Sequence, residues 1–84
     1  MRERSAGCIF RNPIGSTAGK LIDGLGLKGL RVGGAMVSQR HANFFVNRSR
    51  ATCSDMYRLM EEVRNRVWMA YKIELQEEIV LWVN

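Results

Sequence analysis

Residues that interrupt or cross-link a chain are scarce in this sequence. Its 84 residues include one proline, one histidine and two cysteines. Two cysteines are too few for a disulfide framework, and Cys8 and Cys53 lie too far apart in sequence to show metal-ligand spacing. We therefore expect two free thiols, no metal site, and a small domain whose stability depends on a limited apolar core.

Long apolar runs are missing as well. No stretch approaches the roughly 20 apolar residues that a membrane-spanning helix needs. The charged N-terminus, Met1–Arg4, is not followed by the apolar segment of a signal peptide. Apolar residues make up 46% of the chain and charged residues 25%, which is ordinary for a globular domain and argues against disorder. We expect one domain, residues 1–84, in the cytoplasm.

The chain is basic, with a formal net charge of +5. Such a balance suits nucleic acid, an anionic membrane or an anionic small molecule. The sequence contains no motif that reads a nucleic-acid groove, and Arg58, Arg64 and Arg66 share a predicted helix with Glu61 and Glu62. This mixture of charges favours a solvated helix face. Nucleic-acid binding therefore rests on charge alone, and we predict no such partner.

A long helix is predicted from Ser54 to about Tyr71. Its apolar residues recur at helical spacing and form one stripe, made of Met56, Leu59, Met60, Val63, Val67 and Ala70. Ser54 can cap its start, and Asp55 in the first turn suits the helix dipole. The stripe with its methionines indicates core packing.

A shorter helix is predicted from Thr17 to Leu25, capped by Ser16. Its inward side chains are Ala18, Leu21, Ile22 and Leu25, and Gly26 suits a left-handed stop. The run Gly24–Gly29 has the GxGxxG spacing of a dinucleotide fingerprint. That fingerprint needs a strand before the glycines and a helix after them. Here the order is reversed, so the pattern indicates a helix stop and a turn.

The remaining apolar runs are short and rich in β-forming residues. They cover Cys8–Phe10, Ala35–Ser38, Asn43–Asn47 and Ile79–Val83. The polar connection Gln39–His41 predicts a hairpin, and Gly33-Gly34 gives the backbone freedom for a bulge or for close approach to a ligand. The order of elements predicts an α+β fold, in which two helices cover a small antiparallel or mixed sheet.

Three residues capable of chemistry carry little information by themselves. A strand cysteine such as Cys8 is most often a small buried hydrophobe. Glu78 has the pattern of a solvated carboxylate, and His41 lacks neighbours at metal-ligand spacing. Nothing in the spacing joins Cys8 to Glu78. The residues alone support no more than an α+β domain.

Five segments, in order along the chain, carry the motifs of one enzyme family. The first, Ser5–Pro13, is similar to the family segment Ala-Gly-Ser-x-Phe-Lys-Asn-Pro, and the last, Ile73–Ile79, is similar to Ile-Glu-Leu-x-Pro-Glu-Val. Between them lie segments similar to the family's next helix, turn and hairpin: Ala18–Asp23, Gly26–Gly29 and Val32–Asn47. The family that the chain resembles is that of the UDP-N-acetylenolpyruvoylglucosamine reductases, in their C-terminal substrate-binding domain.

The resemblance implies a cytoplasmic step of peptidoglycan synthesis. In the family, NADPH reduces bound FAD, and a hydride then passes to the enolpyruvyl group of UDP-N-acetylglucosamine-enolpyruvate. The product is UDP-N-acetylmuramate. The family's FAD-binding domain lies upstream of the matched segment and is not among these 84 residues. We therefore expect the isolated chain neither to hold FAD tightly nor to turn over substrate.

The resemblance also implies the site residues. Cys8 occupies the position of the family's proton-donating serine, and Glu78 matches a glutamate placed near the enolpyruvyl group. Asn12, Arg11 and His41 match substrate-side positions, with Arg11 in place of a lysine and still supplying positive charge. One alternative stays open, namely a non-catalytic UDP-sugar-binding fragment or relic that lacks the flavin domain.

Overall fold

The computed structural model describes the backbone of residues 4–77 and the side chains of residues 9–77. Within this range the elements follow in the order β1 (Arg4–Cys8), α1 (Ala18–Gly24), β2 (Arg31–Val32), β3 (Ala35–Val37), β4 (Phe44–Asn47) and α2 (Cys53–Tyr71). The strands form one antiparallel sheet in the order β1-β4-β3-β2. The predicted α+β fold is confirmed. The strand predicted at 79–83 lies outside the described residues.

The hairpin predicted from residues 35–38 and 43–47 is confirmed. β3 and β4 pair with Val37 opposite Phe45. Because side chains alternate between the two faces of a strand, Ala35, Val37 and Phe45 share one face of this hairpin, with Asn47 opposite Ala35 at its end. Ala35, Val37 and Phe45 are fully buried. They join one core with the stripe of α2, formed by Met56, Leu59, Met60, Val63 and Val67.

The glycine pair Gly33-Gly34 forms the turn of a second hairpin. Val32 of β2 lies opposite Ala35 of β3, which leaves the two glycines as the connection. Gly33 has a φ of +57°, a conformation that residues with a Cβ rarely adopt. The close approach expected here is made by the protein itself and not by a ligand, since the Gly34 carbonyl accepts the Arg48 N–H at 2.8 Å.

The helix caps differ from those predicted. Thr17, and not Ser16, caps α1 by accepting a backbone N–H of the first turn at 3.2 Å. Thr52, and not Ser54, caps α2, because Thr52 and Asp55 form a reciprocal capping box. In that box each side chain accepts the backbone N–H of the other residue, and the exchange requires a spacing of three residues. Ser54 lies inside the helix.

The solvent-facing side of α2 carries the predicted mixture of charges. Arg64 pairs with Glu61, and Arg66 pairs with Glu62, each at 2.7 Å. Exposed pairs of this kind contribute about 0.2–0.5 kcal/mol each. Ala70, predicted to be buried, is exposed because the last turn of α2 extends beyond the core. In the described part of the chain, neither helix is long and apolar enough to cross a bilayer.

The Asp55 carboxylate links the start of α2 to the turn formed by Gly33 and Gly34. It accepts the backbone N–H of Thr52 at 3.2 Å and that of Gly34 at 3.3 Å. These hydrogen bonds, that from Thr52 first, lower the pKa of Asp55 below its ordinary value of 3.8. A lowered folded-state pKa stabilises the protein above the unfolded-state value, and this contribution is lost as the pH falls through the folded-state value.

Asp55→Asn is therefore expected to weaken the loss of stability on acidification. The measurement is urea unfolding of both proteins from neutral pH down to about pH 3, below the ordinary aspartate pKa. The free energy of unfolding of the wild-type protein should fall more steeply at the acid end. Parallel curves for the two proteins would show that these hydrogen bonds do not favour the ionised carboxylate.

Candidate active site

Cys8 is the last residue of β1 and follows a β-bulge. From Ser5 to Cys8, β1 advances three residues while β4 moves two, from Val46 to Phe44. Bulges of this kind change the course of a strand and are frequent beside active sites. The prediction of a strand at Cys8–Phe10 is wrong. The strand is Arg4–Cys8, because these are the residues that pair with β4 on both sides of the bulge.

The chain beyond Cys8 continues into a second pairing. Phe10 forms an antiparallel bridge with Glu77, and the Arg11 N–H donates to the Gln76 carbonyl at 2.8 Å. Leu75, which precedes the bridge, is almost fully buried and holds this segment on the core. The structure thus brings together two segments that are far apart in sequence.

The bridge lies close in sequence to both predicted catalytic residues. Cys8 comes two residues before Phe10, and Glu78 directly follows Glu77. Glu78 itself lies outside the described residues. Sequence spacing could not relate the segment of Cys8 to the segment before Glu78, because backbone hydrogen bonding between these distant segments brings them together.

Asn43 is a site residue that the sequence reasoning missed. It is the buried polar residue of the hairpin connection, with 8% of its surface exposed. Its Oδ1 accepts the Phe10 N–H at 3.0 Å, and its Nδ2 donates to the Phe10 carbonyl at 2.8 Å. Its own carbonyl accepts the Ile9 N–H at 2.9 Å. In the sequence, Asn43 is a single asparagine next to an apolar strand. That pattern is too common to mark the residue as part of a site.

Asn12 and Arg11 lie on the exposed segment that leads to α1. The Asn12 Oδ1 accepts the Ala18 N–H at 3.0 Å, so this oxygen satisfies a backbone donor at the helix start. The Asn12 amide nitrogen carries two further donor hydrogens that can serve a ligand. Both side chains are exposed. Both residues directly follow Phe10 of the Phe10–Glu77 bridge, and their substrate-side role stays a prediction.

His41 lies on the rim of a shallow basic depression of about 350 Å³. Its exposed ring is 5.1 Å from the ring of Phe44, the residue that pairs with Cys8. Lys20, Lys28 and Arg40 line the same depression, with Asp23 as the carboxylate among them. Such a concentration of positive charge suits an anionic ligand. The sequence did not identify these three cations as a group, because they lie on α1, on the turn Gly26–Gly29 and on the hairpin, which meet only in the fold.

The GxGxxG run at 24–29 has the order of elements that the sequence predicted. It lies at the end of α1 and leads into β2, so this run does not offer a helix N-terminus to a pyrophosphate. Gly26 and Gly29, with φ of +70° and +87°, are explained by the turn that they form. Depressions of about 340, 530 and 510 Å³ lie beside α2. Residues 9–77 include no group of His, Cys, Asp or Glu that could hold a metal ion.

Comparison with known proteins identifies the family. The chain matches the family "UDP-N-acetylenolpyruvoylglucosamine reductase, C-terminal domain" over residues 1–82. It is 54% identical over 79 residues to the UDP-N-acetylenolpyruvoylglucosamine reductase of Desulfosudis oleivorans, covering 93% of this chain and 25% of that protein. The Chlamydia felis enzyme of the same name is 53% identical over 78 residues, covering 93% and 26%.

A solved structure shows the same fold. The crystal structure of the UDP-N-acetylenolpyruvylglucosamine reductase from Thermus caldophilus superimposes with a TM-score of 0.71 at 48% identity, covering 92% of this chain and 27% of that one. The chain thus spans about a quarter of the length of the relatives that it matches. It belongs to the UDP-N-acetylenolpyruvoylglucosamine reductase family and corresponds to the C-terminal domain of these enzymes.

Proposed function

We propose that this chain binds UDP-N-acetylglucosamine-enolpyruvate and delivers the proton in its reduction to UDP-N-acetylmuramate, a cytoplasmic step of peptidoglycan synthesis. The observation that carries the proposal is the Phe10–Glu77 bridge. It aligns the segment that contains Cys8 with the segment that leads to Glu78. A thiol and a carboxylate, here Cys8 and Glu78, are a suitable pair of groups for protonating carbon.

Hydride addition to the terminal carbon of the enolpyruvyl group leaves a carbanion or enol next to the substrate carboxylate. The Cys8 S–H bond breaks, and a C–H bond forms at the carbon next to the carboxylate. A thiolate is left on Cys8. An ordinary thiol has a pKa near 8.5 and is a stronger acid than the serine hydroxyl that relatives carry there. Glu78 assists by steadying the enol or the incoming proton.

The basic depression supplies the contacts for the anionic part of the substrate. Lys20, Lys28 and Arg40 can pair with a diphosphate, and His41 borders the same surface. Asn12 and Arg11 add donors from the neighbouring segment. Phe44 connects the two regions, since it lines the depression and also pairs with Cys8. A substrate with its diphosphate in the depression would therefore lie beside Phe44, whose backbone pairs with that of Cys8.

The hydride comes from a separate domain, joined to this chain or assembled with it. Bound in that domain, FAD would supply the hydride, with NADPH as the source of its electrons. Residues 1–84 act as one unit for substrate binding and protonation. We therefore expect the purified chain to carry no stoichiometric yellow flavin and to leave NADPH unoxidised. A flavin bound in equal amount to the protein would contradict this division.

A chimera tests the proposal. This chain would replace the matching C-terminal quarter of the Desulfosudis oleivorans reductase, to which it is 54% identical. We expect NADPH oxidation that depends on the enolpyruvyl substrate, and formation of UDP-N-acetylmuramate. The isolated chain is the control. A chimera that accepts electrons from NADPH, binds substrate and forms no product would leave the alternative function, a UDP-sugar-binding module without chemistry.

A further inference from the structure

We propose that Asn43 is a positioning residue for the proton donor, fixing through the Phe10 backbone where Cys8 stands relative to the substrate. This inference rests on the proposed function. Asn43 does not act on the reacting atoms. Its contribution is to hold the segment that follows β1 in one place.

The geometry around Phe10 carries the inference. Both backbone polar groups of Phe10 are bonded to one side chain, with N–H to Oδ1 at 3.0 Å and Nδ2 to the carbonyl at 2.8 Å. This pair of bonds reproduces the exchange between two residues of a β-ladder. Only one orientation of the amide satisfies both partners, because the flipped amide would place a donor against a donor. With Phe10 1% exposed and Asn43 8% exposed, water has little access to replace these bonds.

Cys8 is constrained from both sides of the chain. The bulge between Ser5 and Cys8 sets the path of the backbone before it, and the Asn43 bonds set the path after it. The Phe10 side chain is fixed separately by edge-to-face packing on Phe45, with 6.3 Å between ring centroids. Packing therefore keeps the Phe10 side chain in the core. The Asn43 amide holds the Phe10 backbone itself, while the Ile9 and Arg11 N–H groups on either side donate to the Asn43 and Gln76 carbonyls.

Asn43 also connects the donor strand to the substrate-side loop. It lies two residues after His41 and lines the basic depression. A displacement of the loop would reach Cys8 through these hydrogen bonds. Misplacement of a reacting group by about 1 Å can lower a rate by about 100-fold.

The test uses the chimera with the Desulfosudis oleivorans enzyme. Asn43→Ala is expected to lower the kcat of product formation by about 10- to 100-fold. The reduction of the bound flavin by NADPH should stay within about twofold of the parent, because that half-reaction does not need the proton donor. Asn43→Asp keeps the shape of the side chain but replaces its N–H donor with an oxygen facing the Phe10 carbonyl. It should lose about as much kcat as Asn43→Ala.

Asn47→Ala is the matched control. Its Oδ1 accepts the Ala51 N–H at 2.9 Å, so the variant also loses one side-chain-to-backbone bond, at a distance from Phe10. It is expected to leave both half-reactions at the parent rate. Hydrogen exchange followed by mass spectrometry supplies a readout without turnover. The peptide containing residues 9–11 should exchange faster in Asn43→Ala and at the parent rate in Asn47→Ala.

The outcomes separate this inference from the proposed function. Parent-like kcat in Asn43→Ala, or a loss shared equally by the two half-reactions, would overturn the role of Asn43 and leave the proposed function standing. Full retention of kcat in Asn43→Asp would show that shape and not hydrogen bonding matters, and would also overturn it. A parent chimera that forms no product would instead count against the proposed function.

Discussion

Cys8→Ala in the chimera is expected to lower the rate of product formation by about 10²- to 10⁴-fold, the range that a positioned acid or base contributes. Alanine has no acidic proton. The carbanion or enol left after hydride addition must therefore be protonated by water or lose the hydride again. Reduction of the bound flavin by NADPH should continue at the parent rate, since it precedes the proton transfer. The two rates can be measured separately by stopped-flow absorbance.

Two further variants make this prediction specific. Cys8→Ser introduces the serine that the family resemblance implies at this position and should retain most of the activity, although an alcohol is the weaker acid. Cys53→Ala removes the other thiol, at the first residue of α2, and should leave both half-reactions unchanged. Normal product formation by Cys8→Ala would remove Cys8 from the mechanism and would leave Glu78 to be tested as the donor.

Gly34→Ala is expected to destabilise the domain by about 3 kcal/mol, the upper part of the range for overpacking a filled site. A Cβ on Gly34 would overlap the Ser49 carbonyl oxygen and would come within 2.7 Å of the Ala51 nitrogen. Both are backbone atoms, so they cannot rotate away as a side chain can. The Gly34 N–H and carbonyl are also bonded, to Asp55 at 3.3 Å and to Arg48 at 2.8 Å, which opposes movement of the turn.

Thermal unfolding followed by circular dichroism measures this effect. Each kcal/mol shifts Tm by roughly 4–8 °C for a domain of this size, so Gly34→Ala should lower Tm by more than about 10 °C. Gly26→Ala is the matched control, because Gly26 has a φ of +70° but nothing within 4 Å of the added Cβ. It should cost about 1–2 kcal/mol from backbone conformation alone. Equal shifts in the two variants would show that crowding at Gly34 is not the cause.

Local sequence patterns were sufficient for both helices and for one hairpin. The stripe on α2 and the hairpin of β3 and β4 follow from periodicities of 3.6 and 2, which each element carries within itself. The two-residue strand β2 is too short to show a periodicity and was not predicted. Other errors lie at boundaries, as at Thr52 and Ser54. Several residues there can cap a helix, and the reciprocal bond with Asp55 decides among them.

Ordered motifs were sufficient for the family. The segments around Cys8 and Ile73 resemble those of the reductases, and the match over residues 1–82 confirms this membership. The roles of Cys8, Glu78, Asn12, Arg11 and His41 follow from the resemblance and stay predictions. These roles depend on the position of a bound substrate, which neither a sequence motif nor the fold without substrate specifies.

The tertiary structure alone decided how the pieces of the site meet. The Phe10–Glu77 bridge and the Asn43 amide bonds join residues 67 and 33 positions apart. The basic depression likewise takes Lys20, Lys28 and Arg40 from three different segments. Periodicity reports only on neighbours within one element, whereas these contacts arise when separate elements pack. The sequence by itself therefore determined the elements, the family and Cys8 as a candidate, and only the fold placed that candidate between a bulge and a buried amide.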